Sequence, residues 1–174
     1  LRTWKVKVLR ELRVRSSSAV DAVLFFLRMP PRIPAEAKVN DALFYVAELL
    51  MARAGRMAKW VTRLSGRKVI LMCHTEGFIP EFSEGFTAIV RYRNAWHLRR
   101  LLRALPEPWL IHGFAPKSHY PDAARKAIPD VPYIHDLQDT LVVYYGTTPT
   151  KRWLRAELPH EKACMAHADG VIAH

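Results

Sequence analysis

Residues 108–139 read PWLIHGFAPKSHYPDAARKAIPDVPYIHDLQD, and their reading decides the fold. Trp109-Leu110-Ile111 is a short apolar run that ends in His112-Gly113. Residues 121–128 carry a helical pattern. Residues 131–134 form a second apolar run, ending in His135-Asp136-Leu137-Gln138-Asp139. Two apolar runs joined by a helix predict one parallel strand–helix–strand unit. Each run stops at ionisable groups, and open parallel sheets bind ligands where strands give out at their carboxyl ends. The site is therefore expected on those two strand ends.

Outward from that unit the chain alternates strands and helices. Residues 69–73 (VILMC) and 86–92 read as strands. Asn94 reads as the cap of a basic helix over 95–105, which Pro106 ends. A helix over 151–168 leads into a last short strand, Gly170-Val171-Ile172-Ala173. Toward the amino terminus, residues 20–28 read as the first buried strand. Met29-Pro30-Pro31-Arg32-Ile33-Pro34 reads as a rigid loop, because proline fixes φ. Leu43, Val46, Ala47, Leu50, Ala54, Met57, Val61 and Leu64 recur at three- and four-residue spacing, which predicts one long helix over 35–64 stopped by Gly66. The expectation is an α/β, Rossmann-like parallel sheet of about six strands with helices on both faces, with 109–112 and 132–135 adjacent and central. Residues 1–18 are expected as a basic extension and 19–174 as the domain.

Composition narrows the function classes. A chain of 174 residues that is 50% hydrophobic can bury a core without staples. Cys73 and Cys164 make neither a disulfide framework nor a zinc-like spacing, which points to a reducing compartment. No apolar run approaches the roughly 20 residues of a membrane span, and no secretory signal is legible. Leu1 is not a methionine and the last predicted strand runs up to His174, so a longer parent chain is expected. The net charge is +11, and residues 1–66 hold 13 Lys and Arg against 5 Asp and Glu, a net of +8. That excess, with Trp4 and Trp60 near it, favours an anionic surface. The expected location is cytoplasmic, peripheral at the inner face of a membrane. No aromatic–basic RNA-binding motif occurs, so nucleic acid is not an expected partner.

Several clusters could carry chemistry. Asp136 and Asp139 flank Gln138 after a strand, where carboxylates suit acid–base work, a metal, or helix capping and loop hydrogen bonds. His112 precedes Gly113, and a glycine permits close approach of backbone to a ligand. Lys117 and His119 lie in the loop beyond. His74 and Glu76 follow another strand and are expected to line the same cleft. Glu161, on the last helix, is expected to face solvent or cap its neighbours. A metal wants three or four convergent ligands; His74, His112, His135 and Asp136 could supply them, but no HxH or HExxH spacing occurs and no metal is expected. GxxxxGK[ST], GxGxxG and GxSxG are all missing, which argues against a P-loop NTPase, a standard dinucleotide fingerprint and a serine hydrolase.

The order of these pieces resembles the amino-terminal half of glycosyltransferases built from two Rossmann-like domains, the GT-B architecture of the family-4-like kind. The carrying residues are Gly66-Arg67-Lys68-Val69-Ile70, His112-Gly113, VPYIHDLQD at 131–139, the helix with Glu161, and Ala168-Asp169-Gly170-Val171-Ile172-Ala173-His174. Gln138 stands where that family often has a histidine, and MPPRIP stands where it has a glycine-rich loop. The resemblance implies an acceptor-side domain, with a donor-binding half outside these residues. It implies a sugar moved from a nucleotide-sugar donor to a sugar or lipid-linked acceptor, with no further cofactor. On this reading Asp136, Gln138 and His112 are catalytic candidates; Gly113, Asp139, His74, Glu76, Lys117 and Arg32 contact substrate. The alternatives are a non-catalytic basic binding module for an anionic surface, or a metal-dependent hydrolase using the histidines.

Overall fold

The computed structural model describes residues 33–48, 52–76, 80–115, 117–137 and 152–173. Six strands form one sheet: β1 (Leu43–Ala47), β2 (Val69–His74), β3 (Ala88–Tyr92), β4 (Leu110–Phe114), β5 (Tyr133–Leu137) and β6 (Gly170–Ala173). Their order is β3-β2-β1-β4-β5-β6 and every pairing is parallel. The connecting helices are α1 (Ala52–Ser65), α2 (Ala95–Ala104), α3 (His119–Ala127) and α4 (Arg152–Ala166). The fold is α/β and Rossmann-like. The strand order reverses between β1 and β4, which makes their carboxyl ends the switch point where such sheets bind ligands.

Both faces of the sheet are covered. Phe44, Val46, Ile70, Met72, Ile111 and Tyr133 pack on one side with Leu98, Leu101 and Leu102 of α2, Tyr120 and Ala124 of α3, and Cys164 of α4. Leu43, Tyr45, Leu71, Cys73 and Phe114 pack on the other with Ala54 and Ala58 of α1. The unit over 108–139 folds as expected, as β4, α3 and β5 in adjacent parallel register. β4 is one of the two central strands, but β5 lies next to the edge strand β6, so only one of the pair is central.

One expectation fails outright. The long helix over 35–64 does not exist: Ala35–Ala37 is a single 3-10 turn, Leu43–Ala47 is β1, and only Ala52–Ser65 is helical. The physical reason is that Leu43-Phe44-Tyr45-Val46-Ala47 is buried without a break. A continuous apolar run satisfies a three-to-four spacing as readily as any other, so periodicity cannot tell it from a helix. Two aromatics and a valine on a strand covered on both faces then decide for β. The overlooked signal was Asn40-Asp41, a turn pair inside the supposed helix. Asp41 takes a φ of 54°, the left-handed region an unbroken helix cannot contain. The expected first strand over 20–28, the MPPR of the proline loop and the extension 1–18 lie outside the described residues. The sheet's first described strand is followed by Glu48.

Local signals set the other ends. Gly66 stops α1 at φ 68°, with its N–H donating to the Thr62 carbonyl. Asn94 caps α2, its side chain accepting the His97 N–H at 2.9 Å. Asp169 fixes β6 to β5: its carboxylate accepts the Tyr133 N–H and its own N–H donates to the Tyr133 carbonyl, both at 2.8 Å. The aspartate of the Ala168-Asp169-Gly170 motif is thereby committed to the fold.

Candidate active site at the switch point

β1 gives way to Glu48 and β4 to Ala115, so these two residues border the switch-point crevice. Lys117 reaches across it, its Nζ 2.5 Å from Glu48 Oε1, with both side chains part-exposed. Two residues on, α3 begins. The Glu157 carboxylate, from α4, accepts both the His119 backbone N–H (3.2 Å) and a bond from His119 Nδ1 (2.5 Å). An acid at a helix amino terminus is stabilised by the exposed N–H groups. Glu157 thus fixes the orientation of the His119 ring through Nδ1. The Tyr120 ring lies tilted against it, 3.8 Å between centroids. Burial, with help from Glu48, Glu157 and Glu76, pushes the Tyr120 hydroxyl up to about 12, so it stays protonated. Glu48, Lys117 and His119 therefore offer a carboxylate, a cation and an oriented imidazole at one edge of the sheet.

Other candidates fall elsewhere. His112 is not at a strand end. It lies mid-strand, opposite Tyr45 of β1 and Ile134 of β5. It is buried, with its ring 4.4 Å from Phe114 and 4.9 Å from Tyr45. Asp136, opposite Phe114 on β5, is fully buried on the same face, its Oδ2 3.4 Å from His112 Nε2. His112 and Asp136 are brought together, but inside the sheet's packing. Gly113 serves packing too: an added Cβ would lie 2.6 Å from Pro121 Cβ and 2.6 Å from the Tyr133 hydroxyl. Gln138, Asp139 and Arg32 lie outside the described residues.

His74 ends β2, next to β1. Its Nε2 donates to the Arg93 carbonyl at 2.6 Å, and its Nδ1 accepts the Glu76 N–H at 3.3 Å. Both ring nitrogens are thereby engaged in joining the β2 and β3 ends. Glu76 is exposed beside it. Among the described residues no group of three His, Cys, Asp or Glu converges as metal ligands would.

Glu161 overturns an expectation: it is fully buried, on the stripe Leu154, Glu157, Glu161, Cys164 that α4 turns inward. The spacing of three, four and three was legible, but two glutamates on it disguised a buried face. Asp122 was missed as well. Buried in α3, it accepts from Arg125 Nη2 (2.8 Å), Lys126 Nζ (2.6 Å) and His160 Nδ1 (2.8 Å), tying α3 to α4. Burial alone would raise its carboxyl; the bonds from Lys126, His160 and Arg125 win and hold it below the usual range.

No protein-family model matches the sequence, and no curated protein matches it. Among solved structures the chain is similar to a short-chain dehydrogenase/reductase (ethylated) from Veillonella parvula DSM 2008, at 9% identity and a TM-score of 0.51, covering 75% of this chain and 67% of that one. It is similar also to a wide-type short-chain dehydrogenase/reductase from the same organism, in complex with NADP, at 9% identity and a TM-score of 0.48, covering 76% and 67%. At this identity the first likeness establishes the fold.

Proposed function

We propose that this chain is the acceptor-side half of a glycosyltransferase, its cleft bordered by the carboxyl ends of β1 and β4. The observation that supports this reading most is the sequence between β1 and α1. A dinucleotide site needs glycines there so that backbone can approach a pyrophosphate at the helix start. Here the carboxylate Glu48 follows β1 directly, and the next glycine in sequence is Gly55, already inside α1. A carboxylate at that point repels a pyrophosphate but hydrogen-bonds well to sugar hydroxyls, so the residues present do not fit NADP.

Sugar transfer needs an acceptor hydroxyl aligned and relieved of its proton, and a departing diphosphate stabilised. In this reading Glu48 accepts a hydrogen bond from the acceptor. His119 Nε2, oriented by Glu157 through Nδ1, takes the proton. Lys117 holds the Glu48 carboxylate in position through their ion pair. Asp136 and His112, being buried, act by supporting the end of β5, from which Gln138 and Asp139 continue. The resemblance in the sequence assigns donor binding to a second half outside these residues.

The reading is tested in the protein as its gene encodes it, by following sugar transfer from nucleotide-sugars. His119→Asn and Lys117→Ala are expected to lower kcat/KM at least about tenfold, about 1.4 kcal/mol in the barrier, with Tm little changed. Full activity in both variants removes the switch-point site.

A further inference from the structure

Outside the crevice, α1 carries a face that the transfer reaction does not use. Its inward side is Ala54, Met57, Ala58 and Val61, packed on the β1–β2 sheet face. Its outward side is Arg56, Lys59, Trp60, Arg63 and Leu64, at three- and four-residue spacing. Those outward residues break two habits of soluble surfaces. Trp60 is 58% and Leu64 79% exposed, and one turn of helix separates them. The helix also contains Arg53, Arg56, Lys59 and Arg63 with no aspartate or glutamate. Arg56, Lys59, Trp60 and Arg63 line a surface groove of about 260 Å³. Glu84 answers Lys59 across this rim, at 2.5 Å.

The face continues past the helix end. Arg67 lies over the Trp109 ring at 4.4 Å, and Trp109 is 45% exposed. Backbone hydrogen bonds from Leu43 to Lys68 and from Trp109 to Ala42 hold both segments against the start of β1.

We infer that this face, from Arg56 through Leu64 to Trp109, docks the protein on an anionic lipid bilayer. The charge fits headgroups, and the exposed apolar side chains fit the layer beneath them. A helix lying in the interface puts Trp and Leu at the acyl boundary and Lys and Arg among anionic headgroups. A nucleic acid would use the cations, but phosphates give Leu64 nothing to contact. The inference is independent of the sugar-transfer reading, and its test reads binding and not turnover.

The test is co-sedimentation of the purified chain with vesicles of phosphatidylcholine alone or mixed with phosphatidylglycerol. Binding to the mixed vesicles is expected, falling as salt is raised, with little to the neutral ones. The double variants Arg56→Glu/Arg63→Glu and Trp60→Ser/Leu64→Ser are each expected to weaken that binding by about tenfold or more, at unchanged Tm. Equal binding to both vesicles, or none to either at low salt, overturns the proposal. So does wild-type binding by Trp60→Ser/Leu64→Ser, which would leave a purely ionic patch. Displacement from vesicles by millimolar glycerol phosphate, marking a small-anion site, overturns it too, as does tighter, Leu64-independent binding to an RNA oligonucleotide.

Discussion

His135 supplies the sharpest expectation about stability. It is fully buried in β5, and the Tyr133 hydroxyl bonds its Nδ1 at 2.6 Å. Burial, helped by His112 and opposed by Asp136, lowers it from 6.5 to about 4. The folded chain therefore holds this imidazole neutral while the unfolded chain protonates it near 6.5. Between those values the unfolded state binds more protons, so stability falls as pH falls; above 6.5 nothing changes, and below about 4 the loss levels off. Linkage makes the loss on the order of 1 kcal/mol one pH unit below 6.5 and roughly twice that near pH 4.5. Urea unfolding across this range, in wild type and His135→Gln, isolates the contribution, because carboxylate effects are common to both. The variant is expected to be less stable at neutral pH and to show a slope flatter by those amounts. Parallel pH profiles would refute the claim that His135 is buried and neutral.

Three further outcomes follow from the packing. Gly113→Ala forces a methyl against Pro121 and Tyr133; overpacking of this kind costs about 1–3 kcal/mol, read as a lower urea midpoint. Asp122→Asn leaves Lys126, Arg125 and His160 without their carboxylate and is expected to cost about 2 kcal/mol by the same measurement. Because the Asp122 carboxyl is held low, its contribution is present above the usual carboxylate range and is lost as pH falls below it, so the gap between wild type and Asp122→Asn should close under acid. His112→Ala and Asp136→Asn, both in the sheet's interior, are expected to lower Tm as well as any activity.

Much of the fold was legible because its signals are local. The strand ends around residues 108–139, the Asn94 cap and the Gly66 stop each depend on a few neighbouring residues. β1 was not legible, because a strand covered on both faces has no period to betray it. The site was legible only as an edge. That polar residues gather where β4 and β5 give out follows from the alternation of strands and helices. Which of them face the crevice depends on register: His112 falls two residues short of the end of β4, and Lys117 and His119 fall beyond it. Their partners Glu48 and Glu157 are 69 and 38 residues away along the chain, and nothing local announces such pairings. Glu161 and Asp122 misled for one reason: a buried carboxylate satisfied by tertiary contacts looks, in sequence, like a solvated one.

The most direct test of sugar transfer as the chemistry of this cleft is release of nucleoside diphosphate from a panel of nucleotide-sugars, by the protein as its gene encodes it, with NADP binding measured alongside. The account requires release from at least one nucleotide-sugar, abolished or strongly reduced by His119→Asn, and no tight NADP binding. Tight NADP binding, with every nucleotide-sugar left intact, would contradict it.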